Sequence, residues 1–212
     1  MTDLVKIEQT AKKSAKVRGR PLAFNQDEAL NEALRVFWSH GYEGTSMAEL
    51  TEALGINKPS IYAAFGNKEE LFRKALARYT SGPAAFVREA MKEPTARQVV
   101  EKFLLLAVDF FSDRSTPNGC MIVQAALTGG RGSSAIQQEL IAYRKNLEAC
   151  LNERFELAKS QGDLPAQLNT KHLAKYIATI HQGMSVQATS GATKEELLAI
   201  TEIAMSNWPA SK

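Results

Sequence analysis

Residues 45–71, TSMAELTEALGINKPSIYAAFGNKEEL, hold three helix starts and two helix stops that can be placed from local chemistry. Ser46 precedes a helical run and has Glu49 three positions on, the pairing in which each side chain satisfies the other's backbone amide. Met47, Leu50 and Leu54 follow at helical spacing, and Gly55 ends the run by accepting a left-handed backbone. Asn57 caps the next helix, with Pro59 in the first turn, where a missing N–H leaves no bond unmade. Gly66 closes that helix after barely two turns, and Asn67 with Glu70 opens a third. Two short helices joined by a tight turn near a glycine form a helix-turn-helix, whose second helix is shaped to enter the major groove of DNA.

Outward from this stretch the apolar spacing stays helical. Asn25 with Glu28 makes another capping box, opening a helix that carries Ala29, Leu30, Ala33, Leu34, Phe37 and Trp38, and Gly41 stops it. His40, in its last turn, is read as a dipole partner rather than a functional group. Leu71, Phe72, Ala75, Leu76 and Tyr79 continue a fourth helix, broken by Ser81-Gly82-Pro83. Later helices are expected at about 84–92, 95–111, 119–127, 133–160, 170–189 and 193–207. No strand-like alternation persists, so the predicted fold is all-α with about nine helices. The boundaries expected are a basic flexible arm over 1–24, a DNA-binding domain over 25–80 and a helical effector-binding and dimerisation domain over 81–212.

The chain has 212 residues, 44% hydrophobic and 23% charged, the balance of a globular protein. It lacks an apolar run of transmembrane length and opens without the layout of a secretory signal, so no membrane association and a cytoplasmic location are expected. Cys120 and Cys150 are too few for a disulfide framework. The net charge is only +3, but residues 10–24 bear Lys12, Lys13, Lys16, Arg18 and Arg20 with no acid, while residues 81–212 bear 14 basic and 13 acidic side chains. A basic arm on a balanced body suits contact with a polyanion at one end. His40, His172 and His181 form no triad or metal cluster with the cysteines, and Gly129-Gly130-Arg131-Gly132 lacks the lysine of a phosphate-binding loop. Neither an enzyme nor a bound metal or cofactor is expected.

Residues 25–79 resemble the DNA-binding domain of the tetracycline-repressor (TetR) family of bacterial regulators. The likeness rests on FWSHGYEGTSMAEL over 37–50 and LGINKPSIYAAFGNKEEL over 54–71. Pro59 departs from the pattern, since many relatives carry Gly or Ala there. The resemblance implies that the helix from about Lys58 to Ala64 reads bases. Lys58 suits guanine O6 and N7, Ser60 donates or accepts, and Pro59 or Ala63 packs on a thymine methyl. Thr45, Ser46, Tyr62 and Lys68 suit phosphates, and Ile61 and Phe65 should face the core against Leu34, Phe37 and Leu50. Arg18-Gly19-Arg20-Pro21 is similar to an AT-hook, so Arg18 and Arg20 are expected in an adjacent minor groove.

The family likeness further implies a homodimer on a palindromic operator and a small-molecule effector held in the C-terminal half. The helices at 133–160 and 170–189 are the expected dimer seam, with Leu147, Leu151, Phe155, Ile177, Ile180 and Met184 as candidate contacts, some of which must instead face the protomer's own core. Phe103, Phe110, Met121, Gln124, Tyr143, His181 and Trp208 are candidate cavity residues. Cys120 has two readings. It is a small buried residue at a tight turn, or a thiol at a helix start whose pKa is lowered so that electrophiles or oxidants modify it and release DNA. Cys150 is read as buried and inert. A ligand-responsive repressor leads; an activator on the same fold and a non-specific architectural DNA binder are the alternatives.

Overall fold

The computed structural model describes residues 24–127 and 134–209, and every regular element among them is helical. Arg18, Arg20 and the glycine-rich break at 128–132 lie outside the described residues. Among the described residues there are ten α-helices and a 3-10 turn, one helix for each of the ten segments that the spacing marks, against a rounded total of about nine. Short elements are where periodicity counts poorly, and the segment read as one helix over 84–92 divides into a 3-10 turn at Pro83–Ala85 and a five-residue helix.

The N-terminal helix-turn-helix domain is built from α1 (Gln26–Gly44), α2 (Met47–Leu54) and α3 (Lys58–Phe65), against which α4 (Lys68–Ser81) packs. Helix α1 is broken at Gly41, where φ is 70° and ψ is 175°, so its last residues turn toward α2. The caps read from the sequence form at Ser46, Asn57 and Asn67, whereas at Asn25 the side chain accepts from the Asp27 and Glu28 amides without the return bond of a capping box. Ser46 with Glu49 and Asn67 with Glu70 make reciprocal boxes, and Asn57 Oδ1 accepts from the Ser60 amide at 2.9 Å. Between α2 and α3, Gly55 adopts φ 63°, a left-handed turn that a β-carbon would strain. Leu34, Phe37, Leu50, Ile61, Phe65, Leu71 and Phe72 meet in the core of this domain, as expected for the inward face of each helix. Burial of each such side chain contributes about 1.5–3 kcal/mol. Phe37 meets Phe72 edge-on at 5.1 Å, a favoured aromatic geometry.

The C-terminal helical domain comprises α5 (Phe86–Ala90), α6 (Ala96–Phe111), α7 (Met121–Leu127), α8 (Ser134–Ser160), α9 (Thr170–Thr189) and α10 (Lys194–Ser206). The wide apolar face of α6 is buried against α5, α9 and α10, and α8 lies along α9. This packing corrects the expected seam. Leu151, Phe155, Ile177 and Met184 are at most 1% exposed within one chain. Leu147 and Ile180 are partly buried against the same core. The two helices use these residues on each other because a long amphipathic helix first satisfies its own chain. Their apolar periodicity does not distinguish an internal partner from an external one. The large apolar side chains left outside in this domain are instead Leu105 on α6, Tyr143 and Leu157 on α8, Tyr176 on α9 and Ile203 on α10, the last 64% exposed.

Candidate nucleic-acid interface and effector cavity

Helix α3 has two faces of different chemistry. Ile61 and Phe65 are buried, and Lys74 Nζ donates to the Phe65 carbonyl at 2.9 Å, which satisfies one of its last acceptors. Lys58, Pro59, Tyr62 and Ala63 are exposed and Ser60 is half-buried. The Lys58 ammonium stands 6.0 Å from the centre of the Tyr62 ring. One ammonium, two hydroxyls and two small apolar surfaces therefore leave the molecule together at the start of a firmly seated helix.

Beside it, the N-termini of α2 and α4 supply further polar groups. Ser46 is exposed, but its side chain and amide are engaged with Glu49 at 3.1 and 2.6 Å. Lys68 is half-buried with Nζ 4.3 Å above the Tyr42 ring, and burial lowers its pKa. Thr45 needs correction. It is 1% exposed, and its hydroxyl donates to the Gly41 carbonyl at 2.7 Å, so it braces the turn after α1 instead of offering an outward hydroxyl. Tyr42 was not singled out by the sequence. Its ring, held edge-on to Phe72 at 5.2 Å, is the platform under Lys68. The signal available was an aromatic directly after the helix-breaking Gly41.

Comparison with known proteins settles the lineage. The signature of the bacterial regulatory proteins of the tetR family matches residues 29–75, spanning α1 to α4. The HTH-type transcriptional repressor ComR of Escherichia coli (strain K12) is 35% identical over 203 residues, 95% of each chain. This chain belongs to the TetR family. A second repressor of that strain, BdcR, is 28% identical over 195 residues, covering 91% of this chain and 93% of BdcR. Among solved structures, a cysteine mutant of the TetR family regulator CifR, complexed with 26-base-pair operator DNA, is 43% identical with a TM-score of 0.86. That match covers 90% of this chain and 100% of that one. The relatives are transcriptional regulators, not enzymes. Among the described residues no helix is long and apolar enough to cross a membrane.

The second feature of this TetR-family chain is a cavity of about 380 Å³ in the C-terminal domain, at the small end of ligand pockets. Of the residues expected there, Phe110, Cys120, Tyr143 and His181 line it. Phe103, Met121, Gln124 and Trp208 do not. Phe103 is fully buried behind the wall and stacks on His181 at 4.9 Å. Met121 is fully buried, Gln124 Nε2 donates to Thr189 Oγ1 at 3.1 Å, and Trp208 packs on Phe155. Residue type and place along the chain made these four candidates without telling wall from core. Tyr79, Arg144 and Cys150 also line the cavity and were missed, so Cys150 is half-buried on the cavity wall and not the buried residue expected.

Cys120 departs from the low-pKa reading. It is buried, and burial pushes its thiol up. The Tyr79 hydroxyl donating to Sγ at 3.2 Å, the amides of Val123 and Ile122, and the charge of Arg144 act the other way without outweighing desolvation. Arg114, near in sequence, is not among these groups. His181 is buried between Phe103 and Phe111, with its pKa lowered to about 4 by desolvation and no partner for Nδ1 among the described residues.

The DNA-binding domain reaches the cavity directly through Tyr79 and Thr80 of α4, and a second tie runs through the turn before α7. Trp38 of α1 donates its indole N–H to the Gly119 carbonyl at 3.0 Å. The same ring packs on Tyr79 at 4.9 Å and on Phe110 at 5.3 Å, both cavity residues. The Cys120 amide in turn donates to Ser185 Oγ of α9 at 2.8 Å.

Proposed function

We propose that this protein is a homodimeric transcriptional repressor working on cytoplasmic DNA, released from a palindromic operator by a small molecule bound in the cavity. The outward face of α3 carries the reading: its polar residues are free to meet bases while Ile61 and Phe65 fix its orientation. The repressor names of ComR and BdcR, and the operator complex of CifR, support it. In this reading residues 25–80 form the DNA-binding unit and 81–212 the effector and dimer unit. Lys58, Pro59, Ser60 and Ala63 meet base edges. Ser46, Tyr62 and Lys68 meet phosphates, Thr45 contributes through its backbone, and Arg18 and Arg20 enter a minor groove.

Two heads must be held about 34–36 Å apart to read two half-sites. The exposed Tyr176 and Ile203, with half-buried Ile180 near them on α9, favour a seam on α9 and α10 rather than α8 and α9. Trp38, pinned to the turn before Cys120, provides the route from cavity to α1. A second reading, covalent release through Cys120, is favoured by the place of its sulfur on the cavity wall beside the Tyr79 hydroxyl. The thiol would add to an electrophile that enters the cavity and so lose its bond from Tyr79.

The decisive experiment is a footprint and titration on the DNA flanking the gene. Protection of one palindrome, with a preference of about a thousandfold or more over random sequence, is expected. Uniform binding to any sequence would instead mark an architectural protein. If Cys120→Ser still releases DNA under alkylation as the natural protein does, the covalent reading fails and the cavity reading stands.

A further inference from the structure

Among the residues lining the cavity, the groups with a permanent charge are Arg88 and Arg144, and there is no carboxylate. Arg88 is exposed, bonded only weakly to the Ser81 carbonyl at 3.5 Å, and places a positive charge among the lining residues where it draws anions. Arg144 is half-buried. Its Nη1 donates to the Ile122 carbonyl at 3.2 Å, and none of its ion pairs or hydrogen bonds among the described residues is to an acid. Burial draws its pKa down, opposed only by the Cys120 sulfur. A guanidinium partly withdrawn from water without a counter-charge loses hydration, and a ligand carboxylate would offset that loss with two parallel hydrogen bonds. The remaining wall is mostly apolar, with Phe86, Val87, Phe110, Ile122, Val123 and Leu147 facing the space. His181, neutral at pH 7, adds no charge.

We infer that the cavity selects a small apolar acid, its hydrocarbon body among the phenylalanine and aliphatic side chains and its carboxylate on Arg144. This inference rests on the reading of the cavity as the effector site. Cations are disfavoured by Arg88 and Arg144, and a neutral molecule of the same shape leaves Arg144 unpaired. An acid seated there lies against Cys120 and Tyr79, the two residues next to the Trp38 anchor.

The test is calorimetric titration of the full-length protein with octanoate and, as the uncharged match, 1-octanol. Octanoate should bind at least about tenfold more tightly, the difference expected of a charge-assisted pair. Arg144→Leu should remove that preference while leaving 1-octanol unchanged. Arg144→Lys, which keeps the charge but not the fork, should give an intermediate affinity and serves if the leucine variant fails to fold. Equal binding of the two probes, no octanoate binding, or an octanoate affinity indifferent to Arg144 would overturn the inference. Operator release is followed in parallel. Octanoate bound through Arg144 with DNA retained supports the acid site and counts against the regulatory reading alone.

Discussion

On α3, Ile61 and Lys58 are three positions apart and do unrelated work, which makes them separable by mutation. Ile61 is fully buried, so Ile61→Ala should lower stability by about 2–5 kcal/mol in a urea titration, with DNA binding lost only as the fold is lost. Lys58 is exposed, so Lys58→Ala should leave the urea midpoint in place. It should lower operator affinity by about 1–3 kcal/mol and relax the preference at one base pair. His181 gives a pH prediction. Its folded pKa of about 4 lies below the unfolded value of about 6.5, so the unfolded chain takes up the proton first. Stability is therefore full above about pH 6.5 and falls by about 3 kcal/mol as pH drops to about 4. Denaturation across that window should show the slope, and His181→Leu should flatten it. Lys58, Tyr62 and Ile61 were legible in the sequence because a two-turn helix with a fixed cap leaves little choice of face. Tyr42 and Arg144 were not, because their roles depend on side chains brought in from other helices.

At the scale of elements, local chemistry fixes where helices begin. Capping boxes form at Ser46, Asn67, Thr95 and Thr193, each with Glu or Gln three residues on. Ser46→Ala should cost about 1 kcal/mol, read as a lowered denaturation midpoint, and should also loosen the α2–α3 pair that presents the reading face. The turn before α7 is held differently. Gly119 adopts φ 77°, and a β-carbon there would lie 2.8 Å from the Ser185 carbonyl oxygen and 2.8 Å from the Thr189 methyl. Gly119→Ala should cost about 1–2 kcal/mol through the backbone alone, with the overlap on α9 adding to it. Because Trp38 hangs from that carbonyl, the variant should also blunt any effector-driven release while still binding DNA. A gel-shift titration with and without effector separates the two effects. The helix starts were predictable since each side-chain cap bond spans two or three residues. The Gly119 wedge was not, since its neighbour is more than sixty positions away.

For the whole molecule the open surface of α9 and α10 is the deciding feature. Two copies pairing through Tyr176 and Ile203 would bury these exposed groups and set the spacing of the heads. Tyr176→Asp with Ile203→Asp should yield a folded monomer in sedimentation equilibrium, with operator binding weakened far more than the loss of any single base contact. A variant that remains dimeric would move the seam elsewhere, with exposed Leu157 on α8 the next place to look. Taken alone, the order of residues determined the all-α class, most helix limits, and the short capped helix α3 with its buried side, since caps and apolar spacing act within one or two turns. Tertiary structure alone decided that α8 and α9 satisfy each other, that Cys120 is a buried thiol whose pKa burial pushes up, and that Arg144 and Cys150 share a cavity with His181. Desolvation and the choice of packing partner depend on distant helices meeting in space, and no short-range pattern along the chain encodes them.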